Sequence, residues 1–192
     1  MFVEVDISSV VGDKTSEVWR SQILNQGYGD KFILVCHADT LAEARAHLDR
    51  MEDWPSRYTA WPTGAGDDLA RWALEAADRG IRTHGFAVSS PVELYRAPYT
   101  TTDSTRWSAP IVWGRFDKWH PLRRELEVVP LSSKSAVWDR WVEEHGMSPA
   151  EYLKMPLSRD QDVRDGILQA QLHEYTKMAE DVSSYWKGRG YA

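Results

Sequence analysis

His37 and Asp39 stand just past an apolar run, residues 31–37 (KFILVCH), where a buried strand would hand over to a helix. An imidazole and a carboxylate two residues apart can pass a proton or share a divalent cation, and in open α/β sheets such groups gather at the carboxyl ends of strands. His84, inside a second strand-like stretch at residues 81–88, is the third member of this candidate set. No HxH, HxxE or HExxH spacing accompanies it, so no metal or other cofactor is expected. The competing interpretation is structural: Asp39 helps to cap the next helix and His37 is a partly buried polar residue.

A second constellation lies in residues 106–124 (RWSAPIVWGRFDKWHPLRR), where guanidinium groups alternate with indoles. Arg106, Trp107, Arg115, Trp119, Arg123 and Arg124 are the side chains here suited to a contact surface, because both groups stack and both are common at protein–protein hot spots. The competing interpretation is a packed hairpin with a charged rim. Residues 63–67 (TGAGD) form a glycine-rich turn of the kind that holds phosphate, and resemble the GAGD signature of ribokinase-type sugar kinases. Trp61 and Arg71 depart from that pattern, which leaves Asp67 as a first-turn helix acid. There is no GxSxG elbow and no GxxxxGK[ST] loop. Cys36, within the apolar run, is expected to be a core residue rather than a thiolate.

The elements that must position these groups follow from periodicity. Residues 2–7 alternate apolar and acidic side chains and predict a strand. Residues 15–26 predict a helix with Val18, Trp19, Gln22 and Ile23 inward, stopped by Gly27 and Gly29. Residues 31–37 predict an interior strand, placed beside residues 2–7 by a right-handed parallel crossover. Thr40 and Glu43 fit a capping box, ahead of Leu41, Ala44, Leu48 and Met51 at helical spacing. Two Trp-Pro pairs mark residues 53–66 as an ordered loop with Trp54 and Trp61 anchored in the core. A helix over residues 67–79 ends at Gly80, and strands are predicted over 81–88, 92–96, 111–116 and 124–129, with a polar loop at 97–109.

Beyond Pro130 the pattern turns helical, with segments at 133–145, after Ser148-Pro149, and at 159–186. In the last, Leu168, Leu172, Tyr175, Ala179, Val182 and Trp186 form an apolar seam, with Glu174 among the residues assigned to its wet side. The expected architecture is therefore mixed α/β (α+β): a sheet flanked by helices over residues 1–130, then an all-helical segment over 131–192.

Composition excludes several classes. No run approaches the length of a membrane span, and the first residues lack the basic and apolar regions of a signal peptide. One cysteine excludes a disulfide framework, so a cytoplasmic location is expected. A net charge of −6 argues against a nucleic-acid coat.

Residues 144–186, with Ser148, Pro149, Glu151, Tyr152, Pro156 and Leu157 in an SPxEYxxxPL turn, resemble segments of structural and assembly proteins of actinobacterial phages. That resemblance implies a virion or assembly role without catalysis. The first functional expectation is accordingly a non-enzymatic component that binds a protein partner or itself, through the aromatic–basic residues together with Val182 and Trp186. The alternative is a small enzyme or anionic-ligand-binding protein using the strand ends near His37, Asp39 and His84.

Overall fold

The computed structural model describes residues 2–3, 13–61, 67–104, 106–108, 115–130 and 161–191. The segments expected at 4–12, 62–66, 109–114 and 131–160 lie outside the described residues. The chain forms two compact units, one of residues 1–88 with 96–103 and 191, the other of residues 89–95 with 104–190 and 192. The strand expected at 124–129 and the described end of the one expected at 111–116 thus share a unit with the C-terminal helix.

In the first unit β1 (Phe2–Val3), α1 (Asp13–Asn25), β2 (Phe32–Val35), α2 (Leu41–Met51), β3 (Tyr58–Trp61), α3 (Asp67–Asp78) and β4 (Arg82–Gly85) alternate along the chain. After α4 (Pro91–Leu94), which belongs to the other unit, the chain returns as β5 (Thr101–Thr102). The sheet is parallel and in chain order, β1-β2-β3-β4-β5. Each crossover steps to the next strand without reversing, so the helices share one face rather than dividing between two. Arg45–Glu75 and Arg79–Asp49 pairs, both at 2.6 Å, tie α2 to α3, and Trp72 Nε1 donates to Ala44 O at 3.1 Å.

Residues 31–37 hold the predicted interior strand, β2, between β1 and β3, with Ile33 to Cys36 buried. The capping box at Thr40 and Glu43 is present, and Ala44, Leu48 and Met51 are buried beneath α2. Gly27 and Gly80, at φ +73° and +68°, end α1 and α3 in Schellman geometry, with Tyr28 N–H on Ile23 O and Ile81 N–H on Ala76 O.

Three expectations are corrected here. Residues 58–61 are not loop but the central strand: Trp-Pro punctuation hides a four-residue element that is buried on both faces. Thr59 and Trp61 turn toward the helices, where Trp61 packs edge-on against Trp72 at 5.5 Å; Tyr58 and Ala60 turn the other way, onto Ile33 and Phe86. On α1, Val18 and Trp19 are exposed, because the side that faces β2 and α2 carries Ser16, Glu17, Arg20 and Ser21 around an open groove. Residues 92–96 are not a strand, since Pro91 starts the short helix α4 instead. Trp54 and Trp61 are both buried, as expected.

The second unit combines α4, a 3-10 turn at Arg106–Ser108, the antiparallel hairpin β6 (Arg115–His120) and β7 (Glu125–Pro130), and the long helix α5 (Gln161–Lys187). The outer edge of β6 is covered by α5 side chains in place of another strand. Gln171 accepts from Asp117 N–H at 2.9 Å through Oε1 and donates to Asp117 O at 2.8 Å through Nε2, so its amide copies a peptide group. Glu174 accepts from Trp119 N–H at 2.8 Å. This is why the apolar seam expected on α5 is displaced: Gln171 and Glu174 are buried, with Ala170, Met178 and Trp186, while Leu172 and Ala179 are exposed. The strand edge needs hydrogen-bonding groups more than it needs methyl groups.

Gln171→Leu leaves Asp117 N–H and C=O buried without partners, and a loss of about 2–5 kcal/mol in urea unfolding is expected. Glu174→Gln retains an oxygen for Trp119 N–H and is expected to stay within about 1 kcal/mol of the parent. Trp61→Ala, emptying a buried site between β3 and α3, is expected to cost roughly 3–5 kcal/mol.

Candidate functional site

A groove of about 580 Å³ runs between α1 and α2 over the floor of β2. α1 contributes Ser16, Glu17, Arg20, Ser21 and Leu24; Leu34, Val35 and His37 come from β2 and its exit; α2 and the turn after it supply His47, Arg50, Met51 and Trp54. Glu17 is the single acid among these lining residues, against two arginines and two histidines. Arg20 reaches Val35 O at 3.5 Å, which holds its guanidinium over the floor. Among the described residues Trp54 Nε1 is buried without an acceptor.

His47 sits on the apolar face of α2, and is 4% exposed. Its Nε2 lies 2.7 Å from Thr59 Oγ1, and that hydroxyl donates its proton to Leu34 O at 2.8 Å. Burial, reinforced by Arg50, Arg20 and His37, pushes the imidazole down to about 3, so His47 is neutral at pH 7. Cys36 is fully buried beneath the same helix, and burial pushes its thiol up to about 12 despite Arg50 and Arg20 nearby. It is a core residue, as expected, and no nucleophile.

Of the strand-end set, His37 lines the groove, while Asp39 is exposed ahead of α2, its N–H on Glu43 Oε2 at 3.0 Å. His84 lies elsewhere. Its Nδ1 is 2.7 Å from Thr101 Oγ1, and its ring meets Phe86 edge-on on the face of the sheet that carries Tyr58 and Ala60. Tyr58 also bonds to the Thr101 hydroxyl, so these groups tie β3, β4 and β5 together. Asp103 Oδ2, 3.7 Å from His84 Nε2, is beyond hydrogen-bond length. The three residues are therefore not one constellation. Among the described residues no three His, Cys, Asp or Glu side chains group as metal ligands.

The aromatic–basic residues converge within the second unit. Arg106 pairs with buried Asp117 at 2.9 Å, and Tyr175 donates to the same carboxylate oxygen at 2.9 Å. Trp119 is buried, donates to Asp181 at 2.6 Å and stacks on Tyr95. Trp186 is buried and donates to Leu94 O at 2.9 Å. Arg123 pairs with Glu125 at 2.8 Å and Arg124 lies 4.7 Å over the rings of both Tyr95 and Tyr185. Arg115 and Val182 are half-buried, on β6 and α5, and Trp107 lies in the 3-10 turn. Much of this set is engaged within the unit.

Sequence reasoning overlooked Arg20, His47 and Arg50. One signal was present: His47 falls between Ala44 and Met51 on the inward stripe of an amphipathic helix, where a polar residue needs a reason.

A histidine neutral in the folded state and protonated in the unfolded one makes stability fall with acid. Full stabilisation is expected above the ordinary histidine value near 6.5, with a loss of about 1.4 kcal/mol per pH unit as pH drops from there toward about 3. His47→Gln is expected to remove that component when urea unfolding is compared at pH 4.5 and 7. Comparison with known protein families, characterised proteins and solved structures finds no match to this chain.

Proposed function

We propose that the first unit is a binding module for a small anionic ligand, taken into the groove between α1 and α2. The convergence of Arg20, Arg50 and His37 on a partly enclosed volume carries this reading, with Glu17 the one acid among the described lining residues. Guanidinium groups at the rim of a low-dielectric cleft attract and orient carboxylate or phosphate oxygens. The Ser16 hydroxyl adds an uncharged donor, while Ser21 gives its proton to Glu17 O at 3.0 Å, and Leu24, Leu34, Met51 and Trp54 offer apolar surface to a small organic body. Among the described residues no helix is long and apolar enough to cross a membrane.

Titration calorimetry with inorganic phosphate, glycerol 3-phosphate and citrate tests the proposal. At least one of them is expected to bind, and Arg20→Ala with Arg50→Ala to weaken it by about tenfold or more in protein that circular dichroism shows to be folded. Absence of heat with all three, or unchanged affinity in the double variant, overturns it.

A second reading is the non-enzymatic assembly component of the kind the 144–186 resemblance implies. Leu122, 99% exposed at the tip of the β6–β7 turn, and exposed Leu172 on α5 favour it. Light scattering should then report a multimer that Leu172→Asp dissociates without unfolding; a monomer at all concentrations removes this reading.

A further inference from the structure

The hydrogen bonds around His47 specify more than a positive groove. Thr59 has one hydroxyl proton, and it goes to Leu34 O at 2.8 Å. The 2.7 Å contact between Thr59 Oγ1 and His47 Nε2 must then run the other way, with Nε2–H donating. Because the ring is neutral, its second nitrogen carries no proton: Nδ1 is a bare acceptor. Among the described residues it has no hydrogen-bond partner, although His47 is 96% buried and lines the groove. The tautomer is set by a backbone carbonyl in the middle of the sheet: making Nδ1 a donor would turn the Thr59 hydroxyl toward Nε2 and break its bond to Leu34 O.

Arginines supply donors for oxyanions; Nδ1 asks for the opposite. We infer that the ligand of this groove is an anion that also presents a hydroxyl proton, either on the anionic group itself, as in hydrogenphosphate, or on a carbon chain beside it. An anion with acceptor oxygens only would bring a lone pair against the Nδ1 lone pair and leave that acceptor unsatisfied once the ligand covers it. Sulfate is such an anion at neutral pH; hydrogenphosphate has nearly the same size and shape but retains one P–OH. The pair therefore separates charge recognition by Arg20 and Arg50 from proton recognition by His47.

This inference rests on the anion-binding reading, and the experiment distinguishes the failure of each. Wild-type protein is titrated at pH 7 with sodium phosphate, sodium sulfate and glycerol 3-phosphate at equal ionic strength. Hydrogenphosphate or glycerol 3-phosphate is expected to bind about tenfold or more tightly than sulfate. Preference for the first places the hydroxyl on the anionic group, and preference for the second places it on the chain. In His47→Gln the side-chain amide can still donate to Thr59 but the Nδ1 acceptor is gone, so the preference over sulfate should fall to about twofold or less while sulfate affinity is maintained. If the glutamine variant unfolds, His47→Asn, which keeps a polar atom near the Nδ1 position, serves as the second probe: there, part of the preference should survive. Equal affinity for sulfate and the hydroxyl-bearing anions in the wild type, or an undiminished preference in His47→Gln, overturns the inference. Absence of binding by every anion overturns the parent reading instead.

Discussion

A strand of two to six residues leaves backbone groups that no neighbouring strand pairs, and those groups, once buried, must find partners among side chains. That demand shapes both units. On β2, Phe32 O takes Ser56 at 2.7 Å and Val35 O takes Arg20 at 3.5 Å, while Leu34 O, already in the ladder with β3, takes Thr59 as a second donor at 2.8 Å. On β6 the unpaired edge is met by Gln171 and Glu174. An orphaned amide costs more than the net worth of an ordinary hydrogen bond, so these side chains are fixed before any question of apolar packing arises.

The groove is a by-product of the same bookkeeping. Once Thr59 commits its proton to Leu34 O, His47 has one way to satisfy it, and a neutral imidazole with a fixed tautomer follows. Arg20, reaching Val35 O, brings a positive charge over the same floor. Cation and neutral acceptor are thus held in one place by backbone carbonyls of a single strand. An interior polar network of this kind is rigid because each member is constrained from two sides.

Sheet order decides where the groove can lie. In a doubly wound sheet the crevice opens where successive crossovers diverge to opposite sides. Here the order is sequential and there is no such divergence, so the space available is between neighbouring helices on one face. That is why a search for chemistry at the strand ends finds only His37 of its three candidates in the groove, with Asp39 ahead of α2 and His84 on the far face of the sheet. In the second unit, the arginine–tryptophan segment meets its own counterions and rings: Arg106 meets Asp117, Trp119 meets Asp181 and Arg124 meets Tyr95. Alternating guanidinium and indole groups describe such a folded hairpin as well as they describe a contact surface.

Local rules alone determined the elements whose signals are local. The capping box at Thr40, the Schellman glycines Gly27 and Gly80, and the unbroken apolar run of β2 are each written in fewer than eight consecutive residues, and each stands as expected. The mixed α/β class follows from those elements. What they could not reveal was which side chains answer to partners distant in the chain. Strand β3 is four residues between prolines and glycines, and only the strands on either side make it a strand. Gln171 and Glu174 have the polarity of a wet helix face, yet a strand edge 54 and 55 residues earlier draws them inside. His47 looks like a flaw in an apolar stripe until Thr59 and Leu34 O are brought beneath it. Periodicity registers which face of an element is apolar; it cannot register an unpaired carbonyl or amide that only the assembled sheet presents.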